Sequence, residues 1–558
     1  MAIRNSLIIS CLCFFSALYG DTDPRHVLFL MSSGKTDMAL EVYDKYYKET
    51  GKHDFEILEE IGRILIDQGC MSKDLETAMI GLYGVAMSNL SSAESFLSEA
   101  IKSPHPNVQL VALQLLSRLN TDSIEPVMAK GMNSAFLMIR LETLFHLTSR
   151  RSSLALSHID GLMRILPPEF RVYFPEFFAT LGTKEATKEL KSLIADGDLQ
   201  VRLSSILSTA KFMRDDLLPD IRSALSHANP AEKEAAAFAV GMLGDSKSID
   251  VLKELSSSNY DNIKLAALRS RLSLGDESVI EPIKEMAMGG NLFAIQVCGA
   301  LPNTSDLLYM LSTSPDPSIK LNSIMALLSK RDERSVEPLL DLIIRDETDI
   351  GFLPTFSLGR SFIAWKPVPS AHQQAKALNT DIEAITWRIK EELLTHALEL
   401  PESAFLKIAS EVFNRGQYEL VPLVVRLLEN TNSEEAITLL QYNANRIGAP
   451  LLRSYCLLGL YRIGCSKEYS DKFLSWINLQ KGAELFKFRP IALRQLNVDQ
   501  TTKYHLTPEE NSALLLESLE ALARRHEKSS IDCIVSAIRD GNKKNRPALG
   551  GLLLLAIN

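Results

Sequence analysis

Cysteine is scarce in this 558-residue chain, which limits the ways in which the chain can be held together. Only seven cysteines occur, and two of these, Cys11 and Cys13, lie in an apolar stretch at the N-terminus. The remaining five are an odd number spread over most of the chain, which is not the pattern of a disulfide framework. Cys456 and Cys465 are close in sequence, but one continuous helix would separate them by about 13 Å, too far for a disulfide. The sequence therefore predicts free cysteines that act as small core residues.

Signature motifs of enzymes and nucleotide-binding proteins are missing as well. The ten histidines form no H-x-x-x-H or H-E-x-x-H pair, and neither G-x-S-x-G nor G-x-G-x-x-G occurs. The segment from Ser32 to Thr36 reads SSGKT, but Phe29 stands where a P-loop needs its first glycine, so a turn between helices is expected. We therefore predict no catalytic, cofactor or metal site, and a protein that is not an enzyme.

Excess positive charge is also absent. The formal net charge is -9 and the pI is about 5.7. Nucleic-acid affinity depends mainly on Lys and Arg side chains that neutralise phosphates, so no nucleic-acid partner is expected. A basic or neutral protein partner remains compatible with this charge.

A long apolar run is found near the N-terminus, from Leu7 to Leu18, after the positive Arg4 and before the small Gly20. This pattern is typical of a signal peptide, so we expect residues 1–20 to be removed from an exported protein, periplasmic or secreted. The alternative is a buried N-terminal helix. The final PALGGLLLLAIN is too short to span a bilayer and is expected to be a packed terminal helix. The mature chain is thus predicted to have no transmembrane segment.

What the chain does contain is a pattern that recurs about every 31 residues. Each copy opens an apolar stretch with helical spacing and continues through a polar turn into a second helix. Successive copies are 31, 31, 31, 32 and 30 residues apart and begin at Val108, Ile139, Phe170, Val201, Lys233 and Ile263. A helical pair of this size cannot bury its apolar face alone, so neighbouring pairs must stack to form a core.

Residues 101–348 resemble HEAT repeats most closely. Their first helices open with Asp followed by an apolar-basic pair, and their second helices carry Glu-Pro in the first turn, where a missing N–H costs nothing. The matching positions are Asp198 with Val201-Arg202, Asp261 with Ile263-Lys264, Asp316 with Ile319-Lys320, and the prolines Pro126, Pro282 and Pro338. Gly244 and Gly275 fit left-handed helix ends. The resemblance implies an all-α, right-handed superhelix of the HEAT/armadillo solenoid type, which binds other proteins along an extended face.

The remaining segments divide the chain further. Residues 21–100 read as an N-terminal helical cap similar to tetratricopeptide repeats, with helices over 36–50 and 54–69. Residues 349–379 form an irregular insertion rich in proline and aromatic residues, and long loops of this kind are usually functional or disordered. Helices resume over 380–558 as HEAT-like repeats.

Two sets of residues are candidates for partner binding. Lys191, Arg222, Lys253 and Lys284 are each 31 residues apart in the second helices, so they are expected to form a basic row, one residue per repeat. The alternative is that these side chains are solvated or paired with nearby acids, namely Glu189, Asp220, Glu254 and Glu285. In the insertion, Phe362 and Trp365 are candidate interface anchors because aromatics supply large contact area with few torsions to freeze. The alternative is that these rings pin the insertion onto the repeats.

The expected function is that of a non-catalytic, exported scaffold or adaptor that binds a protein partner and needs no cofactor. Two alternatives follow from the same resemblance. Some HEAT-like proteins are enzymes, so a lyase or a ligand-binding protein of the bilin-lyase type is one alternative. DNA glycosylases also occur among them, but the acidic chain and the export signal disfavour that activity. A structural protein of the cell envelope, with no discrete ligand, is the other alternative.

Overall fold

The structure is a computed structural model that describes residues 24–88, 93–119, 124–344, 382–486 and 508–558. Within these ranges every regular element is a helix and no strand occurs. The helices group into two compact units. The first unit, called the terminal unit here, combines Met1–Thr143 with Leu440–Asn558, and the second, the repeat unit, is Leu144–Leu439. The predicted all-α fold is confirmed.

In the described part of the chain, seven helices of the terminal unit precede the repeat unit, and the chain returns to the terminal unit after it. The first seven are α1 (Pro24–Ser32), α2 (Thr36–Thr50), α3 (Phe55–Cys70), α4 (Leu75–Met87), α5 (Ala93–Ala100), α6 (Pro106–Arg118) and α7 (Ile124–Met128). The helix α8 (Leu137–Ser149) then leads into the repeat unit.

The repeat unit continues with short antiparallel pairs. They are α9 (Leu154–Ile165), α10 (Phe174–Leu181), α11 (Lys184–Ile194), α12 (Leu199–Lys211), α13 (Leu218–Ala224), α14 (Pro230–Met242), α15 (Ile249–Leu255), α16 (Asp261–Ser273), α17 (Ile280–Met288), α18 (Leu292–Cys298), α19 (Ser305–Leu311), α20 (Pro317–Ser329), α21 (Val336–Ile344), α22 (Ile382–Ala397), α23 (Glu402–Asn414) and α24 (Val421–Thr431).

The chain leaves the repeat unit along α25 (Glu434–Ala444). The terminal unit is completed by α26 (Pro450–Ile463), α27 (Lys467–Gln480), α28 (Pro508–Ala523), α29 (Lys528–Asp540) and α30 (Arg546–Ile557).

Local signals in the sequence set the ends of the repeat helices. The Asp198 carboxylate accepts the backbone N–H groups of Gln200 and Val201, and Asp316 caps α20 in the same way. Asp261 differs, because it lies inside the first turn of α16 after the N-cap residue Tyr260. Gly244 and Gly275 have φ angles of 68° and 91°, so the predicted left-handed helix ends are confirmed.

The first helix of each repeat lies deep in the repeat unit. Ala235 to Gly241 of α14 and Leu321 to Leu328 of α20 are buried without interruption. Successive first helices pack on one another, and Leu265 and Leu268 of α16 share a core cluster with residues of α18. The apolar residues Ile206, Leu265, Leu268 and Leu321 of these helices are buried, whereas Leu203 is only partly so. The stacking of helical pairs expected from the period is therefore confirmed.

The core of the terminal unit is built around the C-terminal helix. Every residue of α30 from Arg546 to Ala556 is buried, so the predicted packed terminal helix is confirmed. The helix packs against α3 and α4, and glycines on both sides permit the close approach. A Cβ atom on Gly550 would lie 2.9 Å from the Gly62 carbonyl oxygen, and one on Gly551 would overlap the backbone of Gly84.

Polar contacts between the same distant segments surround this core. The Asp37 carboxylate pairs with Lys543 at 2.5 Å and with Arg546 at 2.7 Å, although Asp37 and Arg546 are 509 positions apart in sequence. Asp44 likewise pairs with Arg539, and Tyr83 donates a hydrogen bond to Glu520.

The two units do not follow the predicted segment boundaries, because contacts and not the repeat period define them. The helices of the predicted N-terminal cap share a unit with the last five helices of the chain. The predicted boundaries at 100, 348 and 380 stay a prediction about sequence organisation.

Two further expectations concern the described part of the chain. Cys70, Cys298, Cys456, Cys465 and Cys533 are all free thiols, as predicted. No helix in the described ranges combines the length and the apolarity that crossing a bilayer requires.

Candidate functional site

The four basic residues of the predicted row lie on consecutive second helices of the repeat unit. Lys191 is in α11, Arg222 in α13, Lys253 in α15 and Lys284 in α17. The Lys191 ammonium lies 3.3 Å from the Asp220 carboxylate of α13, so these two second helices are neighbours. The structure therefore places one basic residue on each successive second helix.

Arg222 differs from the three lysines because its guanidinium is committed to a structural contact. It donates two hydrogen bonds, of 2.7 and 2.6 Å, to the Asp245 carboxylate in the turn before α15. Only 3% of the Asp245 side chain is exposed, and the pKa of its carboxyl is lowered, first by Arg222. A bidentate pair on a buried carboxylate fixes the position of one repeat against the next. Arg222 is thus a packing residue of the array.

Lys191 and Lys253 are the most exposed members of the row. Their side chains are 60% and 55% exposed, and Lys253 makes a contact of 3.3 Å with Asp250 of its own helix. Lys284 is more enclosed, at 23%, and pairs with Glu281 at 2.8 Å. Exposed ion pairs contribute little to stability, so the two exposed lysines can exchange their present partners at small cost.

Nearby acids do pair with the row, but most are not the acids that the sequence suggested. Among the predicted partners only Asp220 makes an ion pair with a row residue, Lys191. The other pairs use Asp245, Asp250 and Glu281. The spacing of residues along one helix does not reveal that Arg222 binds Asp245, because Asp245 lies 23 positions later in the chain.

A recurring aspartate in the turn before the second helix is the feature that sequence reasoning did not identify. Asp245, Asp276 and Asp332 each cap a single 3-10 turn and bind an arginine, which is Arg222, Arg271 and Arg334 respectively. Ser278 and Arg271 lower the pKa of Asp276 to about 2. The signal was present in the sequence, because Asp follows Gly244 and Gly275 and a serine comes two or three residues later.

The aromatic candidates Phe362 and Trp365 lie outside the described residues, and their proposed role stays a prediction. The same is true of the predicted signal peptide, residues 1–20.

Burial governs the protonation of several cysteines in the described part of the chain. Burial raises the pKa of Cys70 to about 12 and that of Cys298 and Cys533 to about 11, so these thiols are protonated at neutral pH. A thiol of this kind is a poor nucleophile because the thiolate is the reactive form. The described residues contain no group of three His, Cys, Asp or Glu side chains able to hold a metal ion.

Known structures share the helical character of this chain at low similarity. UNC-45 from Drosophila melanogaster matches at 11% identity and a TM-score of 0.31, covering 96% of this chain and 87% of that one. Importin beta matches at 12% identity and a TM-score of 0.30, covering 90% and 70%. The CpcE–CpcF phycocyanin lyase complex from Nostoc sp. PCC7120 matches at 16% and 0.29, covering 38% and 92%. Each TM-score is below 0.5, so these likenesses carry no information on activity or ligand.

Sequence comparison gives a more specific result. No curated protein matches the chain. The family model for HEAT repeats matches residues 180–271, which run from the end of α10 through α11 to α15 and most of α16. This span contains Lys191, Arg222 and Lys253 and the turn aspartate Asp245. Residues 180–271 are therefore similar to HEAT repeats at the level of sequence.

Proposed function

We propose that this protein is a non-catalytic scaffold that binds a protein partner along the second helices of its HEAT repeats. One observation carries the proposal. The first helices of the repeats are buried, as in α14 and α20, so the second helices supply the surface that the array presents to solvent. Lys191 and Lys253 are exposed on that surface. Together with the acidic Asp250 and Glu281, they offer a mixed-charge face suited to a polar protein surface.

The basic row contributes to partner recognition through these two lysines. Rim charges at an interface act mainly on the association rate and on its salt dependence. Arg222, which holds Asp245, is not part of the recognition surface. Because the two lysines are exposed and Arg222 is left unchanged, the proposal can be tested without disturbing the fold.

Affinity capture of the chain from its native cells, followed by mass spectrometry, identifies the partner. The double variant Lys191→Glu/Lys253→Glu is then compared with the wild type in binding to that partner. We expect the association rate to fall about tenfold at low salt and the difference to shrink at high salt.

A matched control is available on the terminal unit. The Lys102 side chain is 56% exposed and pairs with Glu99 three residues before it, as Lys253 pairs with Asp250. Lys102→Glu should leave partner binding unchanged. Equal binding by the double variant and the wild type would remove the row from the proposal, and failure to capture any protein reproducibly would contradict the scaffold role.

Trp365 provides a second, independent test of the scaffold. We propose that Trp365 and Phe362 are interface anchors, on the strength of the aromatic and proline-rich composition of residues 349–379. Trp365→Ala should weaken partner capture and leave the melting temperature unchanged. A lower melting temperature with normal capture would instead show that the ring pins the insertion onto the repeats.

We also propose that the protein is exported after removal of residues 1–20. The support is the sequence pattern of Arg4, the apolar run and Gly20. N-terminal sequencing of the protein from its native cells tests this. A cytoplasmic product that retains Met1 or Ala2 would contradict it and would direct the search for partners to the cell interior.

A further inference from the structure

Arg269 lies between two aromatic rings inside the array of first helices. It belongs to α16, and its guanidinium carbon is 4.9 Å from the ring centre of Phe238 on α14. The same carbon is 5.3 Å from the ring centre of Phe293 on α18. Both rings are buried, with 2% and 6% of their surface exposed. The neighbouring repeats on either side thus each supply one aromatic face to this cation.

No acceptor satisfies the guanidinium within the described chain. It makes no hydrogen bond there, and its Nη1 atom is buried without any partner. Other arginines of the same array are paired: Arg202 with Glu232 at 2.5 Å and Arg271 with Asp276 at 2.6 Å. A buried cation that lacks a counter-charge is costly, because desolvation is not offset.

The charge on Arg269 persists in spite of its surroundings. Burial lowers the pKa of this guanidinium to about 10, which leaves it protonated at neutral pH. The residue is only partly buried, so an incoming group can approach it from solvent. The site therefore presents a positive charge with unused N–H donors in a partly apolar setting.

A second unsatisfied group lies on the neighbouring helix. Gln296 follows Phe293 by three positions on α18, so the two side chains lie on the same side of that helix. The Gln296 Oε1 atom is buried and accepts no hydrogen bond within the described chain. Buried polar groups are almost always satisfied, so two unsatisfied groups beside one pair of rings indicate an occupant.

We propose that Arg269 binds a small organic carboxylate. The guanidinium lies over the rings of Phe238 and Phe293, and the N–H groups that still reach solvent are the donors available to a ligand. A carboxylate is planar and accepts two such N–H bonds in the plane of the guanidinium. The surrounding rings exclude water and strengthen this pair. This site is distinct from the exposed lysines and does not depend on the proposed scaffold role.

Thermal unfolding and isothermal titration calorimetry of the full chain test the proposal with acetate and succinate as probes, at constant ionic strength against chloride. We expect a saturable increase in melting temperature for the wild type, because binding to the folded state stabilises it. Arg269→Met should bind about 10- to 100-fold more weakly, the loss expected for a charge-assisted pair. In chloride, Arg269→Met should unfold at the same temperature as the wild type or higher, because it removes an uncompensated charge.

The control is Arg453→Gln, which changes an exposed arginine of α26 and should respond to the carboxylates as the wild type does. Equal, unsaturable increases in all three proteins would be a general salt effect and would overturn the proposal. A large loss of stability in Arg269→Met with no carboxylate-dependent shift in the wild type would show that Arg269 is a structural stacking residue. An Arg269-dependent response to hexaglutamate but not to acetate or succinate would replace the small ligand with an acidic peptide.

Discussion

The repeat unit and the terminal unit are both helical, but they are held together by contacts of very different range. In the repeat unit first helices pack on their neighbours along the chain, as α14 packs on α12 and α16. In the terminal unit α30 packs on α3 and α4, and ion pairs join residues 509 positions apart. The stability of the repeat unit is therefore a sum of contacts between repeats that are close in sequence. The terminal unit forms only when segments far apart in sequence come together.

The two units also use different residues to achieve close packing. The repeat unit fills its core with alanine and branched aliphatic residues and fixes neighbouring repeats with pairs such as Arg222–Asp245. The terminal unit uses glycines, so that the backbones of α4 and α30 approach closely at Gly84 and Gly551. Truncating a buried side chain should therefore destabilise the repeat unit most, because it leaves a cavity. Adding a side chain at a buried glycine should destabilise the terminal unit most, because it separates the helices.

Leu268→Ala should be the most damaging change. The side chain is 2% exposed in the core cluster of α16 and α18, so truncation should lower the free energy of unfolding by about 2–5 kcal/mol. Ile165→Ala, at a position that is 69% exposed, should change it by less than about 0.5 kcal/mol. Denaturant unfolding measures the loss, and hydrogen exchange should locate it in the repeat unit. Increased exchange in α3 and α30 as well would mean that the units are not independent.

Gly551→Leu should have the next largest effect, about 1–3 kcal/mol, by forcing α30 away from the backbone of Gly84. The control Gly161→Ala is also inside a helix, but a Cβ there meets no atom within 4 Å. It should stabilise α9 by about 0.5–1 kcal/mol through helix propensity. Hydrogen exchange is expected to rise in the terminal unit for the first variant only. A stabilising Gly551→Leu would show that α30 does not pack closely.

Arg222→Gln should lower the free energy of unfolding by about 1–3 kcal/mol, because it leaves the Asp245 carboxylate buried without its cation. Lys253→Gln, which removes an exposed pair, should cost less than about 0.5 kcal/mol. Chemical denaturation at neutral pH compares the two. Similar losses in both variants would mean that Arg222 and Lys253 have the same role, contrary to their different burial.

The smallest effect is a dependence on pH confined to the terminal unit. His53 contacts Tyr43 and Tyr47 and hydrogen-bonds Asp532 at 2.9 Å, with Lys528 nearby. Burial lowers the pKa of His53 below its usual 6.5, and this outweighs the opposing effect of Asp532. Its contribution to stability is therefore complete above pH 6.5 and is lost as the pH falls below that value, since the unfolded chain takes up the proton first.

Melting temperatures at pH 7.5 and 5.5 test this dependence. The wild type should lose more stability on acidification than His53→Gln, and hydrogen exchange should place the difference in the terminal unit. An identical loss in both proteins would assign the pH dependence to other groups.

Much of the local structure could be predicted from the sequence, because it depends on residues close together in the chain. The helices expected over 36–50 and 54–69 are observed as α2 and α3, and both left-handed glycines follow from local helix-end chemistry. The packing of α30 on α3 could not be predicted in this way. The spacing of apolar residues shows which face of a helix is buried, but not which distant helix covers that face. The role of Arg222 was missed for a related reason, since its carboxylate lies in the following turn and not on its own helix.

The position of α30 also has a consequence for the order in which the protein is made. Residues 24–143 leave the ribosome before residues 440–558, with about 300 residues of the repeat unit between them. The helix that covers Gly62 and Gly84, α30, begins about 460 residues after α4 ends, so at about 5–20 residues per second α3 and α4 wait roughly 25–90 s for it. The repeat unit, whose contacts are local, can fold during that interval. Until synthesis is nearly complete, the apolar faces of α3 and α4 are therefore accessible to chaperones.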